Sequence, residues 1–370
     1  MIRVIFSGVA VLVAAAPAIA AQQVVEIDFE AGRIIIDDEW RSMYFGLAVV
    51  DWNRNVLYVD DMEAPDGIMA FSLQTGEWLR TIPTLLGDGP GEFPQGRSGI
   101  ALTAAGGLYI SGLRRVVEFD SLGVAVSNWS PPTPPTRRVC DFGGQPTVPT
   151  QGGVVRRVPD GNGESIGPVR AAGRVVQRRT RAEGRAVGIR LLNHTRIACS
   201  TNRAYVVATY GEGPDSVFIY DRAGEVGRLH LPEAGDAATI RCEREESRTS
   251  SGRVIQAEGP CPHWSQNAAP SFDDLGNLVF LGRDVGIYGA IIDPDTGCHA
   301  MIRAPRGGSR YAPISIDADS ALVLRRSVTE ETSGGRTVSV VDANSATGVS
   351  IHPIRRVSGM PCPGMLPTVK

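Results

Sequence analysis

Residues 85–93 read LLGDGPGEF, three glycines and a proline set between two apolar segments. Such a run suits either a loop that cradles phosphate or a corner that turns the chain from one β-sheet into the next. A phosphate cradle needs its glycines to lead into a helix N-terminus, commonly with Lys and Ser or Thr at the end, so that backbone N–H groups converge on the anion. Here Glu92, Phe93 and Pro94 follow Gly91, and the chain continues as GIALTAAGGLYI, residues 99–110, a strand-type segment. A carboxylate where phosphate should sit repels it. The run reads as a corner between sheets, with Gly89 and Gly91 expected in backbone conformations costly for other residues.

Working outward from that corner, one grammar recurs: an apolar strand, a small turn, a strand of the type LYV, a strand ending in Asp, and a turn closing on Gly. Residues 48–82, 100–129, 204–231, 271–303 and 314–354 carry clear copies, and residues 139–179 a weaker one. The copies start near residues 47, 99, 139, 197, 270 and 313. Asp120 with Gly123, Asp221 with Gly224, Asp293 with Gly297 and Asp342 with Gly348 stand where strands end. Asp closes a turn through its side chain and Gly supplies positive φ. VFIYD and VVEFD are dense in β-branched and aromatic residues, as strands buried between neighbouring sheets are. No stretch has a long helical period. These units predict an all-β fold, a six-bladed β-propeller with four-stranded antiparallel blades, and VVEIDF at residues 24–29 is the candidate strand completing the last blade.

Residues 89–123 resemble one unit of the NHL-type six-bladed propeller family, through Gly91, Phe93, Gly99, Ile100, Ala101, Gly107, Tyr109, Arg115, Val116, Phe119, Asp120 and Gly123. The resemblance covers about 35 residues and implies the same propeller fold; Ser111 and Gly112 stand where that family often has Asp and Asn.

The N-terminus carries Arg3, an apolar stretch from Val4 to Ala16 and small residues at Ala18 and Ala20, the pattern of a secretory signal over residues 1–20. The apolar run is shorter than the roughly 20 residues that span a bilayer. Residues 21–370 are then expected as a single exported propeller domain, periplasmic or secreted, with no membrane span. The whole sequence holds 37 basic and 40 acidic residues, and Lys370 is the only lysine. Six cysteines in an exported chain suggest disulfides, with Cys242–Cys261, Cys140–Cys199 and Cys298–Cys362 as the favoured pairing. Zinc-type spacing is missing: there is no C-x-x-C.

Nothing in the motifs calls for a cofactor or names catalytic residues. No G-x-S-x-G, H-E-x-x-H or EF-hand loop occurs, and the five histidines are scattered. Arginine placement is more informative. Arg114, Arg115, Arg156, Arg157, Arg283, Arg325 and Arg326 follow what read as second strands, which would gather them on one rim beside the glycine corner. Such a rim favours a protein, peptide or anionic glycan partner. The competing reading pairs them with acids such as Asp60, Asp61, Glu212 and Asp284 as structural ties. Nucleic acid is a poor partner for an acidic exported chain lacking an aromatic and basic stripe. The expected function is a non-catalytic binding or scaffold propeller; the alternative is a propeller hydrolase or lyase with a divalent metal in its channel.

Overall fold

The computed structural model describes residues 23–37, 45–61, 67–133, 138–150, 152–171, 174–175, 195–208, 216–231, 247–248, 254–255, 269–281, 287–303, 311–317, 319–333 and 336–358. All its regular elements among these residues are strands. Four sheets are four-stranded and antiparallel. Their first strands are Phe45–Asp51, Arg97–Leu102, Cys140–Asp141 and Thr195–Cys199, and their last are Trp78–Pro83, Ala125–Trp129, Gly163–Gly167 and Gly224–His230. The strands Ala269–Phe272 to His299–Arg303 and Tyr311–Ile316 to Arg336–Ser358 belong to one nine-stranded sheet. First strands begin within two residues of the starts expected from the repeat.

The packing explains the apolar density. In Ser216–Asp221, Phe218 and Tyr220 pack toward Val154 and Ile166 of the preceding sheet, whereas Val217 and Ile219 pack toward Leu278, Phe280 and Ala290 of the next. Strand residues alternate sides with period two, so this strand has an apolar residue at nearly every position because both its faces are covered. The second strand Val56–Asp61 repeats the pattern, with Leu57 and Val59 on one side and Val56 and Tyr58 on the other. Outer strands lose this cover, and Trp78, Val126 and Val226 are exposed.

First strands of successive sheets lie side by side from Phe45–Asp51 to Ala269–Phe272, and Tyr311–Ile316 lies beside Leu278–Leu281 of the group of strands before it and beside Phe45–Asp51, so the last sheet meets the first. A shared core makes that junction: Ile35, Ile36, Leu322, Leu324 and Val349 pack on Val50, Leu57, Val59, Met69 and Phe71. The arrangement is propeller-like.

Closure follows the expectation only in part at the N-terminus. Gln23–Ile27 contains most of VVEIDF, yet it pairs parallel with His299–Arg303 and antiparallel with the end of Arg336–Ser358, bridging two groups of strands. A second N-terminal strand, Arg33–Ile36, lies along the same last strand further back, opposite Val349–Ile351. Its sequence RIII is as apolar as VVEI, so composition alone did not separate the two. A second correction concerns Asp342 and Gly348, which lie within the continuous strand Arg336–Ser358 rather than closing a turn. The hairpin that reverses this part of the chain lies further upstream, where Ser333 pairs with Arg336.

Cys140 and Cys199 form a disulfide between the first strands of adjacent sheets, as expected. Cys298 is also disulfide-bonded. Cys242, Cys261 and Cys362, and with them the other two expected pairings, lie outside the described residues, as does the signal segment.

The Cys140–Cys199 bridge spans 59 residues of sequence, which on the chain-entropy estimate contributes about 4 kcal/mol. Replacing both cysteines by Ser should therefore lower the unfolding free energy by roughly 2–4 kcal/mol in urea titrations, and an unshifted midpoint would contradict a stabilising role.

Candidate functional site

In an antiparallel four-stranded sheet, the turns between first and second strands and between third and fourth strands leave at one end. The turns between second and third strands, and the connections to the next sheet, leave at the other. At the first end the carboxylates serve the turns. Asp51 Oδ1 accepts from the N–H of Arg54, Asp120 Oδ1 from those of Leu122 and Val124, and Asp221 Oδ1 from those of Ala223 and Gly224. Asp273 Oδ1 accepts from the N–H groups of Leu275 and Asn277, and Oδ2 from Asn277 Nδ2. Burial nonetheless raises the Asp273 carboxyl above the ordinary carboxylate range. Asp293 closes its turn with Asp295 and Thr296. These acids are spent on the backbone and side-chain donors of their own turns.

The opposite end carries LLGDGPGEF. Phe93 is fully buried among Leu108, Ile110 and Val117, and its N–H donates to the Leu85 carbonyl at 2.8 Å, closing the loop at its base. Glu92 folds inward, its Oε2 accepting from the Gly89 N–H at 2.8 Å. Gly91 has φ +78°, the left-handed region, and a Cβ there would lie 3.2 Å from Ala125 Cβ. Gly89 differs from expectation: its φ is not in that region, and a Cβ there would meet only the carboxylate end of Glu92, at 2.9 Å.

Arg115 fills the loop. From Nη1 it donates to the carbonyls of Gly89 and Glu92, each at 3.0 Å, and to that of Asp88 at 3.4 Å, with the Asp88 carboxylate 3.9 Å from Nη2. A phosphate cradle turns N–H groups inward, whereas this loop turns carbonyls inward around a guanidinium. Its stem is tied by a second arginine: Arg97 Nη2 pairs with Asp60 at 2.7 Å while Nη1 donates to Thr84 Oγ1 at 2.7 Å, and both charged side chains are largely buried. Sequence reading missed Arg97; its position flanking the corner, as the first residue of the following strand, was the available signal.

The expected rim divides. Arg114 and Arg115 lie on the turn between Leu108–Gly112 and Val116–Phe119, as expected, with Arg114 exposed and Arg115 turned into the corner. Arg156 and Arg157 end a third strand, Gly153–Arg157, because Pro146–Thr150 is the second strand of that sheet. They therefore stand at the opposite end. Arg156 is buried, pairs with Glu164 at 3.2 Å and sits over the Phe142 ring, and Arg157 donates to Ser127 Oγ at 2.9 Å. Arg325 pairs with Asp37 at 3.4 Å, just beyond the strand Arg33–Ile36. Arg326 is placed as a register position opposite Ala346, and Arg283 lies outside the described residues. Among the described residues no group of three or more His, Cys, Asp or Glu side chains is placed to hold a metal ion, and no helix is long and apolar enough to cross a membrane.

What remains free on the corner face is a small mixed surface. Leu85 and Leu86 are 47 % and 71 % exposed, and Leu113, beside Arg114, is 46 % exposed. Arg115 locks the two loops that carry them. Arg115→Ala should leave the Asp88, Gly89 and Glu92 carbonyls without their charged donor and cost about 2–3 kcal/mol, whereas Arg114→Ala should stay within roughly 0.5 kcal/mol of the parent. Thermal and urea unfolding of the two variants checks this; equal effects would contradict the division of roles.

No protein-family model matches the sequence, and no curated protein matches it. Among solved structures the chain is similar to a gluconolactonase from Xanthomonas campestris, with 14% identity and a TM-score of 0.46, covering 91% of this chain and 98% of that one. It is also similar to a calcium-binding protein, regucalcin, from Agrobacterium tumefaciens, with 12% identity and a TM-score of 0.43, covering 89% and 94%. A Bacteroides caccae protein of unknown function shows 12% identity and a TM-score of 0.39 over 90% of this chain and 100% of that one.

Proposed function

We propose that the chain is an exported, non-catalytic binding propeller of the NHL type, with a signal at residues 1–20 and a single six-bladed domain over residues 21–370. The blade count is supported by taking the nine-stranded sheet as two blades joined through Gln23–Ile27, with Arg33–Ile36 as the outer strand of the last. Export accords with the Cys140–Cys199 disulfide.

The observation that carries the binding reading is the surface of Leu85, Leu86, Leu113 and Arg114, displayed on two loops that Arg115 holds together. Rigid loops lose little conformational freedom on binding, so apolar contact made there is retained as affinity. A single exposed guanidinium beside leucines selects a partner that joins an apolar group to a carboxylate or sulfate. Acidic peptides with apolar side chains match this best, and anionic glycans supply the charge alone. Arg156, Arg157 and Arg325 support the fold rather than this surface.

Titrating the protein with a library of acidic peptides bearing apolar residues, beside a sulfated glycan, tests the reading. Binding should weaken as salt rises, and a triple Leu86→Ser, Leu113→Ser, Arg114→Ser variant should keep its melting temperature while losing about tenfold or more in affinity. Unchanged binding by the triple variant would overturn the site. A stoichiometric divalent metal in the purified protein, with turnover of an ester or lactone, would favour the hydrolase alternative.

A further inference from the structure

The junction between the N-terminal segment and the last sheet contains a buried histidine that the binding surface does not use. His352 lies on Arg336–Ser358 between the positions that pair with Gln23–Ile27 and those that pair with Arg33–Ile36, and it is 4 % exposed. Residues 28–32, which connect those two N-terminal strands, cross over its ring. His352 Nδ1 stands 3.2 Å from the Asp28 carbonyl and Nε2 stands 2.6 Å from Ser350 Oγ. The Phe29 ring lies 4.9 Å away, centroid to centroid, and Gly32 packs so closely that any Cβ there would strike the imidazole.

We propose that His352 is an acid-sensitive latch on the N-terminal strands, holding the last sheet closed while its ring is neutral and releasing residues 28–36 when it takes up a proton. A carbonyl accepts only, so Nδ1 carries the hydrogen and donates to Asp28. Nε2 is then the acceptor for the Ser350 hydroxyl, which is itself buried. A proton added at Nε2 turns that acceptor into a donor, so the Ser350 hydroxyl must rotate to accept and its own hydrogen loses the ring as acceptor, and the added charge stands against the Phe29 ring and the Gly32 backbone, which offer it little solvation.

The charged groups around the ring do not reverse this. The Asp28 carboxylate favours the cation, but it is engaged by Arg355 at 3.5 Å, and Arg325, from the neighbouring strand, opposes it. Burial is the largest influence and lowers the His352 pKa below its ordinary value near 6.5. The folded group therefore stays neutral where the released group charges. Stability of the closed junction is fully present above the released pKa and is lost as pH falls below it.

Linkage to a released imidazole of ordinary pKa raises the opening equilibrium between pH 7.5 and pH 5.5, by up to about tenfold. Amide hydrogen exchange of residues 28–36 and 349–354, corrected for intrinsic rates, should show that loss of protection in the intact protein and only a small part of it in His352→Gln. Equal pH dependence in the two proteins, or none in the parent, would overturn the latch. Nuclear magnetic resonance titration of the parent His352 ring reads the same property without a variant: a folded-state midpoint well below the ordinary histidine value supports the latch, and a midpoint at or above it overturns it.

Discussion

Phe218 and Tyr220 face one neighbouring sheet while Val217 and Ile219 face the next. A sheet that is apolar on both sides has no face to give to water. Fully burying a side chain of this kind is worth roughly 1.5–3 kcal/mol, so a sheet missing one neighbour forfeits several such contributions at once. The constraint passes from sheet to sheet until the last must find the first. Ile35 and Ile36 on one side and Leu57, Val59 and Phe71 on the other are where it does.

The closing junction is tied by side-chain hydrogen bonds as well as by its core. Arg33 donates to the carbonyls of Leu73 and Gln74 at the turn of the first sheet, and Trp52 Nε1 donates to Ser315 Oγ across to the last. Asp37 pairs with Arg325 directly after the closing strand. Most of these bonds are partly exposed and contribute on the order of 1 kcal/mol or less each, but they are directional where burial is not. Apolar contact brings the ends together; these bonds set the register in which they meet. The same division holds at the corner, where buried Phe93 anchors the loop and Arg115 determines its shape.

The sheets were legible because their signals are local. A strand apolar at every position, followed by Asp and Gly a few residues apart, encodes a hairpin within a dozen residues, and Asp120, Asp221 and Asp293 each accept backbone N–H groups as that pattern implies. Closure was only partly legible. VVEI and RIII are both short β-branched runs, and where each meets the last strand depends on partners more than 300 residues away. Arg156 and Arg157 were assigned to the wrong end of their sheet for a related reason. Arg156 and Arg157 follow a strand, but PTVPT, with its two prolines, did not read as the strand before it. Counting it moves both arginines to the other end of the sheet. Arg115 shows the remaining limit: composition identifies a cation beside a loop, while only geometry reveals that the loop's own carbonyls are its ligands.

Ring closure by the N-terminal strands is most directly tested by deleting residues 23–37 and following urea unfolding by tryptophan fluorescence and circular dichroism. Without Arg33–Ile36 the last sheet loses its outer strand and the core between Leu324, Val349 and Phe71 opens to water. Loss of a single cooperative transition, with the two signals no longer coinciding, is the result expected of a ring that depends on those strands. A sharp transition at the parent's midpoint, with coincident signals, would contradict it.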